Sequence, residues 1–404
     1  MPLYKDRIAQ QLEKKIPEFS GTTTEAAVQE YSNTVQTLPE TIDHDEITNA
    51  LEDREYPGAI PTSEFNDFDE FVSPFEESRD WKAHESVNTW ARNQLEGKTT
   101  IAADGSQIDP ITEFEQPVGL VQVVWMANHH AEAGEYEEDA ETVVLTPEDL
   151  LFEDPNSGYV HVDDQEVPLT RFETEMQVLE KQIQQYSNIE PPPVVMYDGS
   201  LILSFIQTFD QETKERYATA LSRLLAASRY HQVPVVGYVS GSKATELATM
   251  LQELDLIDTH TKVRDHQFLE ELMHEWGSRT PLMYAHRDKT QNRLQTMYRG
   301  SEFDFSDAIL FTYMNIGPGT QIDRIECPAW IHTEEMTDYV LSVIRAEAGV
   351  GRGYPEILQS VDADAVISHE DREEFLRMYQ EFSDEHNIDL QWNNKALSKK
   401  RRRR

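Results

Sequence analysis

Asp-Gly-Ser occurs twice in the chain, in IAADGS and in VMYDGS, each time where an apolar run ends; the two aspartates are Asp104 and Asp198. An Asp-Gly pair alone marks only a turn. Two of them after strands say more, because residues at strand ends of an α/β sheet face a common crevice. Carboxylates brought close there repel each other unless a divalent cation lies between them. Hard oxygen ligands suit Mn²⁺ or Mg²⁺. Glycine after each aspartate lets the chain turn sharply and lets a phosphodiester come near. The chemistry such a pair supports is metal-assisted phosphodiester hydrolysis, with ions held about 3.5–4 Å apart in the two-metal scheme.

Two carboxylates rarely suffice, so a third acid is wanted. Residues 169–187 place Phe172, Met176, Leu179 and Ile183 at helical spacing and offer Glu173, Glu175 and Glu180. Only Glu175 stands three after Phe172 and four before Leu179, which leans it toward the buried face. Glu173 and Glu180 fall on the wet side. Lys243, in SGSK at a strand-to-helix turn, has two readings. It is a phosphate contact, where helix N-terminal amides and an ammonium converge, or the solvated lysine of a capping turn. The string is not a P-loop, since G-x-x-x-x-G-K-[ST] is absent.

These side chains need strands and helices to hold them. Apolar runs predict strands at Thr99–Ile108, in GLVQVVWMANHH, at 143–145, in VVMYDGSLILSFI and in VPVVGYVS. AILFTYMNI and DRIECPAWIH, split by GPGT, read as a hairpin. Helical spacing appears at 4–16, 26–37, 81–95, 169–187 and 212–230, after SKAT, in MTDYVLSVIRAEAG and at 369–382. Residues 38–80, rich in Asp, Glu and Pro, read as loop or linker. Strands interspersed with helices predict a mixed-sheet α/β core.

The 404 residues are 38% hydrophobic, ample for a core. With 75 acids against 35 bases the chain carries −40, which excludes a binder that clings to nucleic acid through an overall basic surface. Apolar stretches between the acids argue against a disordered acidic chain. The acidity reads instead as adaptation to a halophile's salty cytoplasm, where a Debye length of about 3 Å at 1 M salt mutes self-repulsion. No run of about 18 apolar residues would span a membrane, and no apolar signal core opens the chain. The one cysteine, Cys327, excludes a disulfide framework or a cysteine-rich metal site. The expectation is a cytoplasmic protein. The terminal KKRRRR would touch DNA backbone or an acidic partner, or is a disordered end.

Taken in order, IAADGS, the helix with inward Glu175, VMYDGSLI, YVSGSK, RIECPAW (324–330) and GYPEILQSVDADAVIS (353–368) resemble the NurA nucleases over roughly 98–375. The resemblance implies an RNase H-like core and a Mn²⁺- or Mg²⁺-dependent 5′→3′ exonuclease of DNA double-strand break end resection, with single-strand endonuclease activity a further expectation. It implies a ring-like homodimer working with the hexameric HerA translocase. Carried over by residue, Asp104 and Asp198 match the two metal-binding aspartates and Glu175 the helical glutamate. Asp362 falls where the family has a His or Asp after Tyr-Pro, with Asp364 as a substitute. His332 would be the histidine after the P-x-W strand, and Tyr354 would touch DNA or metal-bound water, or simply pack. The expected organisation is an acidic, partly helical extension over 1–97, a nuclease domain over 98–382 with a helical insertion at about 245–300, and a tail over 383–404. Two other classes compete: a metal-dependent phosphatase or phosphotransferase with the same carboxylates, and a non-catalytic adaptor for a translocase.

Overall fold

A computed structural model describes residues 3–15, 25–81, 84–111, 114, 116–131, 134–153, 158–259, 261, 263–287, 293–317, 321–388 and 390. The basic run at 399–404 lies outside the described residues, as does most of the GPGT turn. The strands, in chain order, are β1 (Gly58–Pro61), β2 (Thr100–Ile108), β3 (Gly119–Asn128), β4 (Tyr136–Leu145), β5 (Leu151–Glu153) and β6 (Val160–Val162). They continue as β7 (Val194–Asp198), β8 (Val235–Val239), β9 (Met283–His286), β10 (Gln295–Tyr298), β11 (Ser301–Asp304), β12 (Ile309–Met314) and β13 (Asp323–Pro328). Nine of them form one sheet in the order β1-β9-β12-β13-β8-β7-β2-β3-β4.

The sheet is mixed. β2, β3 and β4 are antiparallel neighbours, while β7 and β8 run parallel to β2. That five-strand order, antiparallel then parallel, is consistent with the RNase H-like core expected. β13, β12, β9 and β1 extend it through antiparallel pairs. Central strands are apolar on both sides because helices cover both faces. Ile101, Ala103, Val123, Val195 and Val235 pack with Phe172, Met176 and Leu179 of the Glu166–Tyr186 helix and Leu221 and Leu225 of the Gln211–His231 helix. The alternate residues Ala102, Met126, Met196, Val236 and Ile325 pack with the His84–Leu95, Thr337–Val350 and Glu356–Ala365 helices. The outermost strand, β4, is exposed and carries Glu137, Glu138, Asp139 and Glu141, charges that blunt an open edge.

Three stretches depart from expectation. Residues 38–80 are not a linker. They hold the His44–Leu51 helix, closed by an Asp43/Glu46 capping box, and β1, which pairs with β9 at the sheet's far edge. Their apolar residues are few, but Ile47, Leu51, Phe65 and Phe71 are all buried, which suffices to anchor an otherwise acidic segment. Residues 245–300 hold the short helices Glu246–Glu253 and Asp265–Leu269 together with β9 and β10, the first strand of a hairpin that β11 completes just beyond. Finally, Glu356–Ala365 is a helix in its own right, with Ile357, Leu358, Val361 and Ala365 buried on one side.

Candidate active site

Ala103 of β2 pairs with Tyr197 of β7, so Asp104 and Asp198 follow at the same level on adjacent parallel strands. Strands lie about 4.8 Å apart. Alternation then settles the face: Ala102 and Met196 point toward the Glu356–Ala365 side, and so do Asp104 and Asp198. Asp104 is half-buried and Asp198 exposed at its strand end. Burial raises the Asp104 carboxyl above its ordinary range, and the charges of Asp362 and Asp198 add to the rise. At Asp198, an exposed residue whose carboxyl is nonetheless partly desolvated by its neighbours, that desolvation raises the carboxyl, with a hydrogen bond from Tyr354 opposing and the charge of Asp362 adding.

Asp362 comes from the helix packed on this face. The helix start is fixed by Glu347, fully buried, which accepts from the Ile357 amide (3.0 Å) and from the Thr100 hydroxyl at the foot of β2 (2.7 Å). Its end is tied by Ser106, whose hydroxyl donates to the Ala365 carbonyl. The serine of the first DGS thus anchors the Asp362 helix. Asp362 and Asp364 are both exposed, but Asp362 is the one whose charge reaches Asp104 and Asp198. Tyr354 stands beside them, edge-on to Tyr238 with centroids 5.0 Å apart.

Glu175 arrives from the opposite face. The Glu166–Tyr186 helix covers the other side of β2, and contact passes through the strand at Gly105. A Cβ there would lie 2.7 Å from Glu175 Oε1 and 2.8 Å from Arg171 Cγ. The glycine of the first DGS is therefore a window for the glutamate and not the turn expected there: it lies within β2, paired with Val123, and the strand runs on to Ile108. Burial pushes the Glu175 carboxyl up to about 8, against the pull of Arg171, with Asp104 and Asp198 adding. Arg171, one turn earlier, lies 3.5 Å from Glu175 Oε1 through Nε. Its side chain is 42% exposed, which leaves a cation facing both the carboxylates and solvent. Helical spacing from Glu175 was the one signal for it in the sequence.

Other expectations sort differently. Glu173 is not simply solvated: it shares Arg216 with Glu166. Glu180 is buried and pairs with Arg223 at 2.9 Å. Both arginines belong to the Gln211–His231 helix, whose packing no local periodicity reveals. Lys243 is exposed in the loop leaving β8. The helix amides expected to join it in holding phosphate are occupied, since Leu247 and Ala248 donate to Asp265 at 3.1 and 3.0 Å. His332 follows β13, which runs antiparallel to β8, and so lies at the opposite end of the sheet from Asp198. The structure does not bring it to the carboxylates.

The donor set is all oxygen, two adjacent aspartates flanked by Glu175 and Asp362, and fits a hard divalent cation in kind. It is an open arrangement. Among the described residues, no three His, Cys, Asp or Glu side chains are gathered tightly enough to cage an ion. Mg²⁺-type sites commonly use one or two carboxylates, completed by waters and substrate phosphate. Two surface concavities lie away from these carboxylates, one between the Glu25–Gln36 helix and residues 67–76, another between the Glu166–Tyr186 and Gln211–His231 helices. No helix among the described residues is long and apolar enough to cross a membrane.

None of the curated proteins compared matches the chain. A model of the NurA domain matches residues 98–367, which takes in β2, β7, Glu175 and Asp362. Over that span, most of its length, the chain belongs to the NurA family, associated with a nuclease of DNA end resection.

Proposed function

We propose that the protein is a Mn²⁺- or Mg²⁺-dependent DNA nuclease that shortens ends 5′→3′, working as a homodimer with a HerA-type ATPase. The observation that carries this reading is the convergence of Asp104, Asp198 and Asp362 on one face of the sheet, with Glu175 reaching them past Gly105. The open position of Asp198 and Asp362 favours a polymer over the small substrate of a phosphatase.

In this reading Asp104 and Asp198 hold the cation, with Glu175 and Asp362 beside them. When bound, the ion supplies charge neutralisation at the phosphate and activation of water. The chain does the rest. Tyr354, beside Asp198, opposes the rise of its carboxyl and so favours the ionised form that holds a cation. Glu175, whose carboxyl burial and the neighbouring aspartates raise in the metal-free protein, would be drawn to its ionised form by a cation beside it and could then take a proton from water. Arg171 offers the phosphodiester a guanidinium on the solvent side. Polarity and the HerA partnership come from the family and not from any single residue.

The test is cleavage of end-labelled linear DNA with Mn²⁺ in high salt. Asp198→Asn keeps size and turn propensity but removes charge, and cleavage is expected to fall by orders of magnitude with the fold intact. Asp104→Ala is expected to do the same. Near wild-type cutting by Asp198→Asn refutes the metal-site assignment, and absence of Mn²⁺ binding to the wild type favours the adaptor.

A further inference from the structure

Resting on that reading, we propose that Glu326 of β13 is a positioning residue for Asp198: it latches the turn that carries this aspartate out of β7. Asp198 is the last residue of its strand, and the chain must double back at once. Gly199 does so with φ +159°, its amide donating to the Tyr238 carbonyl of β8 at 3.0 Å. The turn then lies directly on β8 at Gly237, where a Cβ would sit 2.6 Å from the Gly199 carbonyl oxygen. Within the turn the Ser200 hydroxyl accepts from the Ile202 amide at 3.0 Å and approaches the Ile202 carbonyl at 3.2 Å, bonds that close the turn on itself but do not tie it to the sheet. Glu326 does: its Oε2 accepts from the Ser200 hydroxyl at 2.8 Å and from the Leu201 amide at 2.7 Å.

A buried carboxylate making those bonds needs a countercharge, and the core supplies one. Glu326 Oε1 accepts from Arg324 Nε at 2.7 Å, and both side chains are 1% exposed. Arg324 is held in turn by Glu246 Oε1 (3.0 Å), by the Tyr313 hydroxyl (3.2 Å) and by the Phe311 ring, 3.8 Å beneath its guanidinium. A fully buried ion pair rarely contributes more stability than apolar residues of the same volume. Its use here is placement. It delivers a rigid acceptor from the strand beyond β8 to the two donors that set where Asp198 ends up.

Glu326→Gln tests this. Glutamine has one acceptor oxygen and a donor NH₂, so one end must meet a donor, either Arg324 or the turn. Ser200→Ala is the milder companion and serves if the first variant folds poorly; it removes the hydroxyl's bond to Glu326 and also its bonds with Ile202, so its exchange is read at the Leu201 amide, whose bond to Glu326 it leaves in place. In the full-length, metal-free protein, hydrogen exchange across residues 198–203 is expected to rise roughly tenfold in Glu326→Gln, since a buried hydrogen bond is lost, while β12 stays protected. Mn²⁺ affinity, read by calorimetry, is expected to weaken about tenfold, as for other residues that orient metal ligands. The Mn²⁺ concentration for half-maximal cleavage should rise in step, with a far smaller change in the rate at saturating Mn²⁺. Unchanged exchange in the turn overturns the proposal. So does faster exchange with Mn²⁺ affinity unchanged. If the wild type itself binds no Mn²⁺, the nuclease reading fails instead, and the exchange result alone decides whether Glu326 is the latch.

Discussion

At the scale of single residues, the informative contrast is among three glutamates of one helix. Glu175 faces Gly105 and the aspartates, whereas Glu173 and Glu180 are engaged by Arg216 and Arg223. Glu175→Gln is therefore expected to lower DNA cleavage by about a hundredfold or more, the scale of a lost proton-transfer group. Glu173→Gln and Glu180→Gln should retain activity and lose at most about 1 kcal/mol of stability, as for partly exposed ion pairs. Equal activity in all three would remove Glu175 from the site. The same residue sets a pH signature. Burial raises its carboxyl from 4.5 to about 8, so folding favours the protonated form. The stability it contributes is full below about pH 4.5 and is lost as pH climbs through about 8. In metal-free buffer, Glu175→Gln should consequently melt higher than wild type at about pH 9, with the gap closing below about pH 4.5. Calorimetry finding the same gap at both ends would show that the glutamate is not a buried charge.

At the scale of elements, the site depends on how closely the Glu166–Tyr186 helix approaches β2. Gly105→Ala places a methyl 2.7 Å from Glu175 Oε1 and 3.1 Å from Val123 Cγ2, with little room to yield inside a central strand. The expected cost is about 1–3 kcal/mol of overpacking, together with loss of cleavage as Glu175 is pushed away. Thermal melts beside DNA digestion check both, and an active, equally stable variant would show that the window at Gly105 does not matter. This contact also marks the limit of what the sequence reveals. β7 was legible because an apolar run stops at DGS, and the inward lean of Glu175 was legible from Phe172 and Leu179; the break expected at the first DGS was wrong, because β2 continues through it to Ile108 with its pairing to β3 unbroken. That Glu175 comes from the opposite face to Asp104 was not, because strand alternation fixes a face only relative to neighbours. Glu180 was placed in water because its partner, Arg223, lies on another helix. The Glu356–Ala365 helix hid behind Asp362 and Asp364, whose acids mask an apolar stripe of Ile357, Leu358, Val361 and Ala365. The 38–80 segment was read from its acids and prolines, while its placement was decided by a few buried side chains such as Phe65 and Phe71. Arg324, Glu246 and Glu326 form one buried group from residues up to 80 positions apart, and no local pattern announces such a group.

At the scale of the whole molecule, the dominant fact is a net charge of −40 on a protein proposed to act on DNA. Like charge on enzyme and substrate repels over a Debye length of about 10 Å at 0.1 M salt and about 3 Å at 1 M. Molar KCl is therefore expected to raise the melting temperature, because screening relieves the protein's own repulsion. Salt has the opposite effect on phosphate contacts, since counterion release weakens them as concentration rises. Arg171 and Lys243 are few cations to hold a strand under those conditions. A single copy would release DNA quickly in the salt that stabilises it. Enclosing the strand between two copies, and feeding it with an ATP-driven translocase, removes the dependence on surface charge because escape is blocked by topology. The expected result is a dimer by light scattering in about 2 M KCl, a concentration at which screening is nearly complete, and nuclease activity that rises when a HerA-type ATPase and ATP are added. A monomer in that salt, indifferent to the ATPase, would sink the assembly proposal and leave the carboxylate chemistry standing, because Asp104, Asp198, Glu175 and Asp362 all lie within one chain.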